Sequence, residues 1–143
     1  MRRAIQCLVV TAAMAIVSAG CTSSIAAPTN YAPFSQTDLV SGAGEEAVSG
    51  RTLTVAYAGW VYDASRTDQK GVQFDASGAD APFSFTLGNG DVIPGWELGL
   101  PGIRVGGTRR LVIPAPMAYG SFRRGSIPPN ATLVFDVELL SVQ

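Results

Sequence analysis

Apolar and polar positions alternate with a period of two over Arg51 to Val61, where Leu53, Val55, Tyr57 and Val61 fall on one face and predict a strand. Phe83 and Phe85 share a face in the same way. Further along, Arg109, Leu111 and Ile113 alternate with Arg110 and Val112, and Leu133, Phe135, Val137 and Leu139 alternate with a face that carries Asp136 and Glu138. Such one-sided patterns belong to antiparallel strands, apolar inward and polar outward. The run from Ile93 to Gly102 breaks the period, with Pro94 near its start and glycines at its exit, and predicts a helix of two turns at most. One apolar sheet face and one short helix give an α+β fold: a curled antiparallel sheet, or half-barrel, wrapped around that helix, with the indole of Trp96 as its filler.

A different pattern occupies the first 20 residues. Arg2 and Arg3 precede an apolar stretch from Ala4 to Val17, followed by the small residues Ser18, Ala19 and Gly20 before Cys21. This reads as a cleavable export signal over 1–20, because the apolar run is short of the roughly 20 residues a spanning helix needs and contains Gln6. The Ser18 to Cys21 junction resembles a bacterial lipobox, apart from Ser18 where an aliphatic residue is usual. The expectation is a lipidated Cys21 that anchors the chain on the periplasmic side of a bacterial cell envelope. Residues 21–36, rich in Ser, Thr, Ala and Pro without an apolar period, read as a flexible tether, and 37–143 as one compact domain.

Composition narrows the chemistry. The chain has 143 residues, 47% hydrophobic and 15% charged, and a formal net charge of -1 that becomes more acidic once Arg2 and Arg3 leave with the signal. That charge gives no basic face for nucleic acid. With a His count of 0, a Ser-His-Asp triad, a Cys-His pair and a histidine metal site are excluded. Chemistry falls to carboxylates, hydroxyls, backbone amides and apolar surface, and no metal or cofactor is expected.

All 6 Phe, 4 Tyr and 2 Trp lie beyond Cys21, and several, such as Tyr119-Gly120 and Phe74-Asp75, stand beside turn residues. In a half-closed sheet the same aromatics can be core or the lining of an apolar dish at the open end. Asp75-Ala76-Ser77-Gly78 is good chemistry for an Asx turn. Arg109-Arg110, Arg123-Arg124, Glu45-Glu46 and the Asp136/Glu138 pair read as solvated charge. Gly88-Asn89-Gly90 lacks the Gly-Lys-Ser/Thr of a phosphate loop.

Taken together, from about Val40 to Leu140, the chain resembles the FK506-binding (FKBP-type) peptidyl-prolyl cis-trans isomerases. The stretches that carry the resemblance are Val55-Ala56-Tyr57-Ala58-Gly59, Phe74-Asp75, Pro82 to Gly88, Val92-Ile93-Pro94-Gly95-Trp96, Val105 to Leu111, Ala118-Tyr119-Gly120 and Ile127 to Val137. It implies a curled sheet around a short helix and a cofactor-free pocket that binds proline. The substrate-binding positions it implies are Tyr57, Phe74, Asp75, Phe83, Val92, Ile93, Trp96, Tyr119, Ile127 and Phe135. Trp96 would be the floor under the proline ring, with Tyr57, Phe83 and Phe135 as walls. The Ile93 amide and Tyr119 hydroxyl would bond ligand carbonyls and Asp75 a polar ligand group, which makes Asp75 and Tyr119 the candidate catalytic residues.

Four departures stand out. The arginine usual a few residues after Phe-Asp is absent from 76–82, Asp91 stands before Val92 where many members have Glu, the segment from Trp60 to Gln73 is longer than in minimal members, and Phe122-Arg123-Arg124 fills the variable flap, where its Phe and two positive charges would bias which peptides enter. The expected function is isomerisation of X-Pro bonds in exported proteins, with proline-containing peptides as substrates, FK506 or rapamycin as inhibitors and a monomeric state. The alternative is a binding or chaperone module that keeps the dish without turnover.

Overall fold

The computed structural model describes residues 31–143, so the expected signal, Cys21 and most of the expected tether lie outside the described residues. In chain order the elements are β1 (Ser35–Val40), β2 (Thr52–Tyr62), β3 (Lys70–Ser77), β4 (Phe83–Thr86), α1 (Pro94–Gly99), β5 (Thr108–Ile113), a 3-10 turn over Ala115–Met117, and β6 (Leu133–Val142). The strands form one antiparallel sheet in the order β1-β5-β6-β2-β3, with β4 also paired to β2. This is the α+β half-barrel with one short helix that the periodicity predicts.

β2 organises the sheet. Along one edge it pairs with β6 from Leu53 to Val61, and along the other it pairs with β4 over Thr52 to Val55 and with β3 from Tyr57 onward. The chain leaves β2 at Ser77, opposite Tyr57, and returns at Phe83, opposite Val55. That interruption brings Tyr57, Asp75 and Phe83 to one end of the sheet.

The core lies between the concave face and α1. Leu53, Val55, Leu111, Ile113, Leu133, Phe135, Val137 and Leu139 come from the strands, and Trp96, Leu100 and Ile103 from the helix and its exit. Each such side chain contributes roughly 1.5–3 kcal/mol by leaving water. The helix has six residues, opens with Pro94, and is closed by the Leu100 N–H donating to the Trp96 carbonyl at 3.0 Å. Two glycines let it lie against β5: a side-chain carbon on Gly95 would collide with Ile113, and one on Gly99 with Leu111 and Phe34.

Four readings of the sequence need correction. The ordered chain starts before residue 37, because β1 begins at Ser35 and Phe34 packs against the core at Gly99. Arg109 is no surface charge: it is 6% exposed, and its guanidinium donates to Asp38 and to the carbonyls of Gly99 (2.8 Å) and Pro101 (3.0 Å). It thereby ties the edge strand to the end of the helix. Arg110 and Asp136 are likewise not free in solvent, since Asp136 bridges Arg110 (2.7 Å) and Lys70 (2.6 Å) across three strands. Finally, the convex face is not uniformly polar, for Tyr62, Val112 and Val134 form a second small buried cluster with Ala32 beside it. Val61 stays half-buried where β2 carries ladder irregularities after Gly59.

Candidate active site

At the open end of the half-barrel is a cavity of about 420 Å³. It is lined by Tyr57, Phe74, Asp75, Phe83, Val92, Ile93, Trp96, Tyr119 and Phe135 from the expected set, together with Gly90, Asp91, Ala118 and Arg124. Ile127, the remaining expected position, is 5% exposed and belongs to the core; it faces a smaller adjoining cavity. Six separate segments meet here, so no stretch of sequence contains the site.

The floor is Trp96, held at 4% exposure by a ring of other aromatics. Tyr57 (5.2 Å, 84°), Phe135 (5.4 Å, 87°) and Phe83 (6.3 Å, 75°) all meet it edge to face. Phe74 meets Phe135 in the same manner at 5.5 Å. Edge-to-face packing sets the positive rim of one ring against the negative face of the next, which adds about 0.5–1.5 kcal/mol per pair and fixes the ring planes. Gly59 is required under this cluster, since a side chain there would strike Phe74 and Phe135. The indole Nε1 of Trp96 is buried with no acceptor among the described residues.

Polar groups stand around this apolar floor. The Tyr57 hydroxyl donates to Asp75 Oδ2 at 2.6 Å, and the Ala76 N–H donates to Asp75 Oδ1 at 2.9 Å. Asp75 therefore does not start an Asx turn: it lies within β3, where its pairing with Gly59 fixes its place beside Tyr57. Burial of the phenol and its hydrogen bond to Asp75 push the Tyr57 pKa far above its ordinary value of 10.0, so it remains a donor at any physiological pH. Ile93 precedes α1 in extended conformation, and its N–H has no acceptor among the described residues. Tyr119 follows the 3-10 turn, where the Gly120 N–H bonds the Ala115 carbonyl at 2.8 Å.

The rim at Gly90 and Asp91 is built by Glu97 on the outer side of α1. Its carboxylate accepts the backbone N–H groups of Gly88 and, at 3.0 Å, Gly90. Asp91 in turn accepts the Thr86 N–H and the Asn89 side-chain amide, both at 3.1 Å. The helix thus supplies the floor through Trp96 and holds the rim through Glu97. Sequence reasoning missed Glu97 and Gly90, although Glu97 directly follows Trp96, whereas Arg124 belongs to the Phe122-Arg123-Arg124 flap that the sequence singles out.

Among the described residues no cluster of metal-ligating side chains occurs. What the arrangement can do is hold a compact apolar ring against Trp96, shield the adjoining amide from water, and offer N–H and O–H donors to neighbouring carbonyls.

Comparisons with known proteins agree with this architecture. Residues 43–140 match the family model of the FKBP-type peptidyl-prolyl cis-trans isomerases. The FK506-binding protein of Neisseria meningitidis serogroup B is 47% identical over 107 residues, which cover 73% of this chain and 92% of that protein. FK506-binding protein 4 of Neurospora crassa is also 47% identical, over 106 residues, but the match spans 74% of this chain and only 21% of that longer relative. Among solved structures, FkpA from Escherichia coli matches at 42% identity with a TM-score of 0.63 over 77% of this chain and 48% of its own, and AtFKBP13 at 33% identity with a TM-score of 0.64 over 77% and 93%. An aromatic cavity floored by a helix tryptophan, at the open end of a half-barrel that matches over most of the domain, places this chain in the FKBP-type peptidyl-prolyl cis-trans isomerase family.

Proposed function

We propose that this chain rotates X-Pro bonds of exported proteins while held at a bacterial membrane by a lipid on Cys21. The observation that carries the isomerase reading is the aromatic cavity floored by Trp96, with Ile93, whose N–H has no acceptor among the described residues, on its lining.

Rotation about an X-Pro bond is slow because it sacrifices amide resonance, at a barrier of roughly 18–20 kcal/mol. The twisted transition state carries less charge on its oxygen than the planar ground state, so water stabilises the ground state more. Stripping water from that amide costs about 2–7 kcal/mol depending on the reference state, and each differential of about 1.4 kcal/mol is tenfold in rate. In this cavity Trp96, Tyr57, Phe83 and Phe135 exclude water around the proline ring. The Ile93 N–H and the Tyr119 O–H hold flanking carbonyls in a geometry closer to the twisted state than to either planar one. Asp75 keeps Tyr57 oriented and offers an acceptor at the rim. The chemistry consists of desolvation and orientation by the chain's own groups.

Export and anchoring are supported by the sequence pattern of the first 21 residues and by the Ser/Thr/Ala/Pro-rich composition of the stretch that follows. The protein would act as a monomer on unfolded chains emerging on the periplasmic side. A protease-free exchange assay on the chain from Thr22 onward tests the activity: acceleration of X-Pro exchange that FK506 blocks is the expected result. Binding of FK506 or a proline peptide without acceleration would replace the enzyme by a binding module, the reading favoured by the missing arginine in 76–82. Release of the full-length protein from membranes on Cys21→Ser tests the anchor.

A further inference from the structure

Asn89 and Gly90 lie in the rim that Glu97 holds, and both are exposed. Of the three asparagines in the chain, at 30, 89 and 130, Asn89 alone is followed by glycine. That pair has a chemistry of its own. The backbone nitrogen after an asparagine can attack the side-chain carboxamide carbon and close a cyclic imide. A side chain on the attacking residue hinders the approach, and glycine has none. Gly90 also has a φ of +77 with no atom within 4 Å of the place a side chain would take, so the approach is open in this fold.

The hydrogen bonds of the rim set how readily the ring closes. The Asn89 side-chain amide donates to Asp91 Oδ1 at 3.1 Å, and Asp91 Oδ2 accepts the Thr86 N–H. The first bond spans residue 90 and keeps the carboxamide on the Gly90 side of the turn. Glu97 acts in the opposite sense, because its Oε1 accepts the Gly90 N–H at 3.0 Å. The nitrogen must give up that proton in order to attack, and a carboxylate beside it disfavours the negative nitrogen as any like charge does. Ring closure therefore awaits release of Gly90 from Glu97, a local opening of the rim.

We propose that Asn89 is a site of spontaneous deamidation in the folded protein, with Glu97 as its brake, and that the product loosens the rim of the cavity. The Gly90 nitrogen forms a bond to Asn89 Cγ, the Cγ–Nδ2 bond breaks, and the departing amide leaves as ammonia with the proton that Gly90 loses. Water then opens the imide at either carbonyl and leaves aspartate or isoaspartate at position 89, with nothing oxidised or reduced. Either product sets a carboxylate against Asp91 where there had been a donor. Isoaspartate also lengthens the main chain by a methylene, so the N–H groups of Gly88 and Gly90 no longer both meet Glu97. Gly90 and Asp91 line the cavity, and the chemical age of the chain is thereby recorded at its mouth. No step involves a substrate, so the inference stands apart from the isomerase reading.

The test incubates the full chain at neutral and mildly alkaline pH, both native and in denaturant. Tryptic peptides are read by mass spectrometry, and isoaspartate by its specific methyltransferase. Exchange of NH2 for OH is expected at Asn89 ahead of Asn30 and Asn130, faster at the higher pH and faster again in denaturant, where Glu97 no longer holds Gly90. Glu97→Gln should react at a rate between those of the native and the denatured wild type. As the product accumulates, hydrogen exchange at Gly88 and Gly90 should quicken, whereas an Asn89→Ser protein should keep its exchange rates through the same incubation. Should Glu97→Gln fail to fold, the comparison of native with denatured wild type carries the test of the brake. The proposal is overturned if native Asn89 stays intact while the denatured chain converts, if the native and denatured rates are equal, or if another asparagine leads in the native protein. It is equally overturned if folded Glu97→Gln reacts no faster than wild type, or if the aged rim exchanges as slowly as the fresh one.

Discussion

The hydrogen bond from Tyr57 to Asp75 joins β2 to β3 at the mouth of the cavity, and its loss has a bounded cost. If desolvation carries the rate, Asp75→Ala and Tyr119→Phe should each lower kcat/KM only a few-fold with the fold intact, because neither removes the apolar floor. Circular dichroism together with the exchange assay checks this, and abolition of turnover by Asp75→Ala in a folded protein would overturn a desolvation mechanism. Trp96 is another matter. It touches Tyr57, Phe83, Phe85 and Phe135, so Trp96→Ala empties the centre of the aromatic cluster and should cost about 3–5 kcal/mol of stability as well as most activity, read by denaturant melts and the same assay. Asp75 was open between an Asx turn and a pocket carboxylate in the sequence, since turn chemistry is local whereas the partner that decides its role, Tyr57, is a strand away.

The six-residue helix α1 is too short to be stable by itself and depends on what it packs against. Gly95 and Gly99 set its distance from β5, and Glu97 ties it to the Gly88 to Gly90 rim. Glu97→Gln keeps the size of the side chain but replaces a charged acceptor by an amide, whose single oxygen cannot serve both N–H groups as well. The expected outcome is a KM raised a few-fold with kcat little changed and faster hydrogen exchange at Gly88 and Gly90. A change in kcat with an unaltered rim would assign Glu97 a different role. The helix was legible from Pro94 and the broken period, yet its hold on the rim was not, because that requires the loop to fold back over the helix. β1 and β3 were missed altogether, for Ser35–Val40 is exposed throughout and Lys70–Ser77 mixes polar, glycine and aromatic positions without alternation. Both are strands because β5 and β2 offer them unpaired edges.

Across the whole molecule, charges on the convex face link strands that the core alone would leave to apolar packing. Asp136 is pushed up by burial, but hydrogen bonds from Arg110 and Lys70 outweigh this and hold its carboxyl below the ordinary value of 3.8. Asp38 is also held below 3.8, chiefly by its hydrogen bond to Arg109. A carboxyl with a lowered folded pKa contributes stability above its unfolded value, and that contribution is lost as pH falls through the folded one. Stability should therefore be flat with respect to these groups near neutrality and decline as pH drops below 3.8. Asp136→Asn should weaken that acid dependence while lowering stability at pH 7, because it leaves Arg110 and Lys70 facing each other without their shared anion. Denaturant melts as a function of pH measure both effects, and an unchanged acid slope in the variant would place the titrating group elsewhere.

The sequence by itself determined the class of fold, the four strands whose apolar faces alternate, the helix and its tryptophan, and the aromatic set from which the cavity is made. The fold elements follow from local periodicity, and the aromatic set from the resemblance of its motifs to a known family. The tertiary structure decided the rest. It buried Arg109, drew Asp38, Arg110, Asp136 and Lys70 into ion pairs, added β1 and β3 to the sheet edges, set Ile127 in the core, and brought Arg124 over Tyr119 at the mouth of a second cavity. A charged side chain reads the same in sequence whether it meets solvent or a partner, since its energy depends on a group tens of residues away.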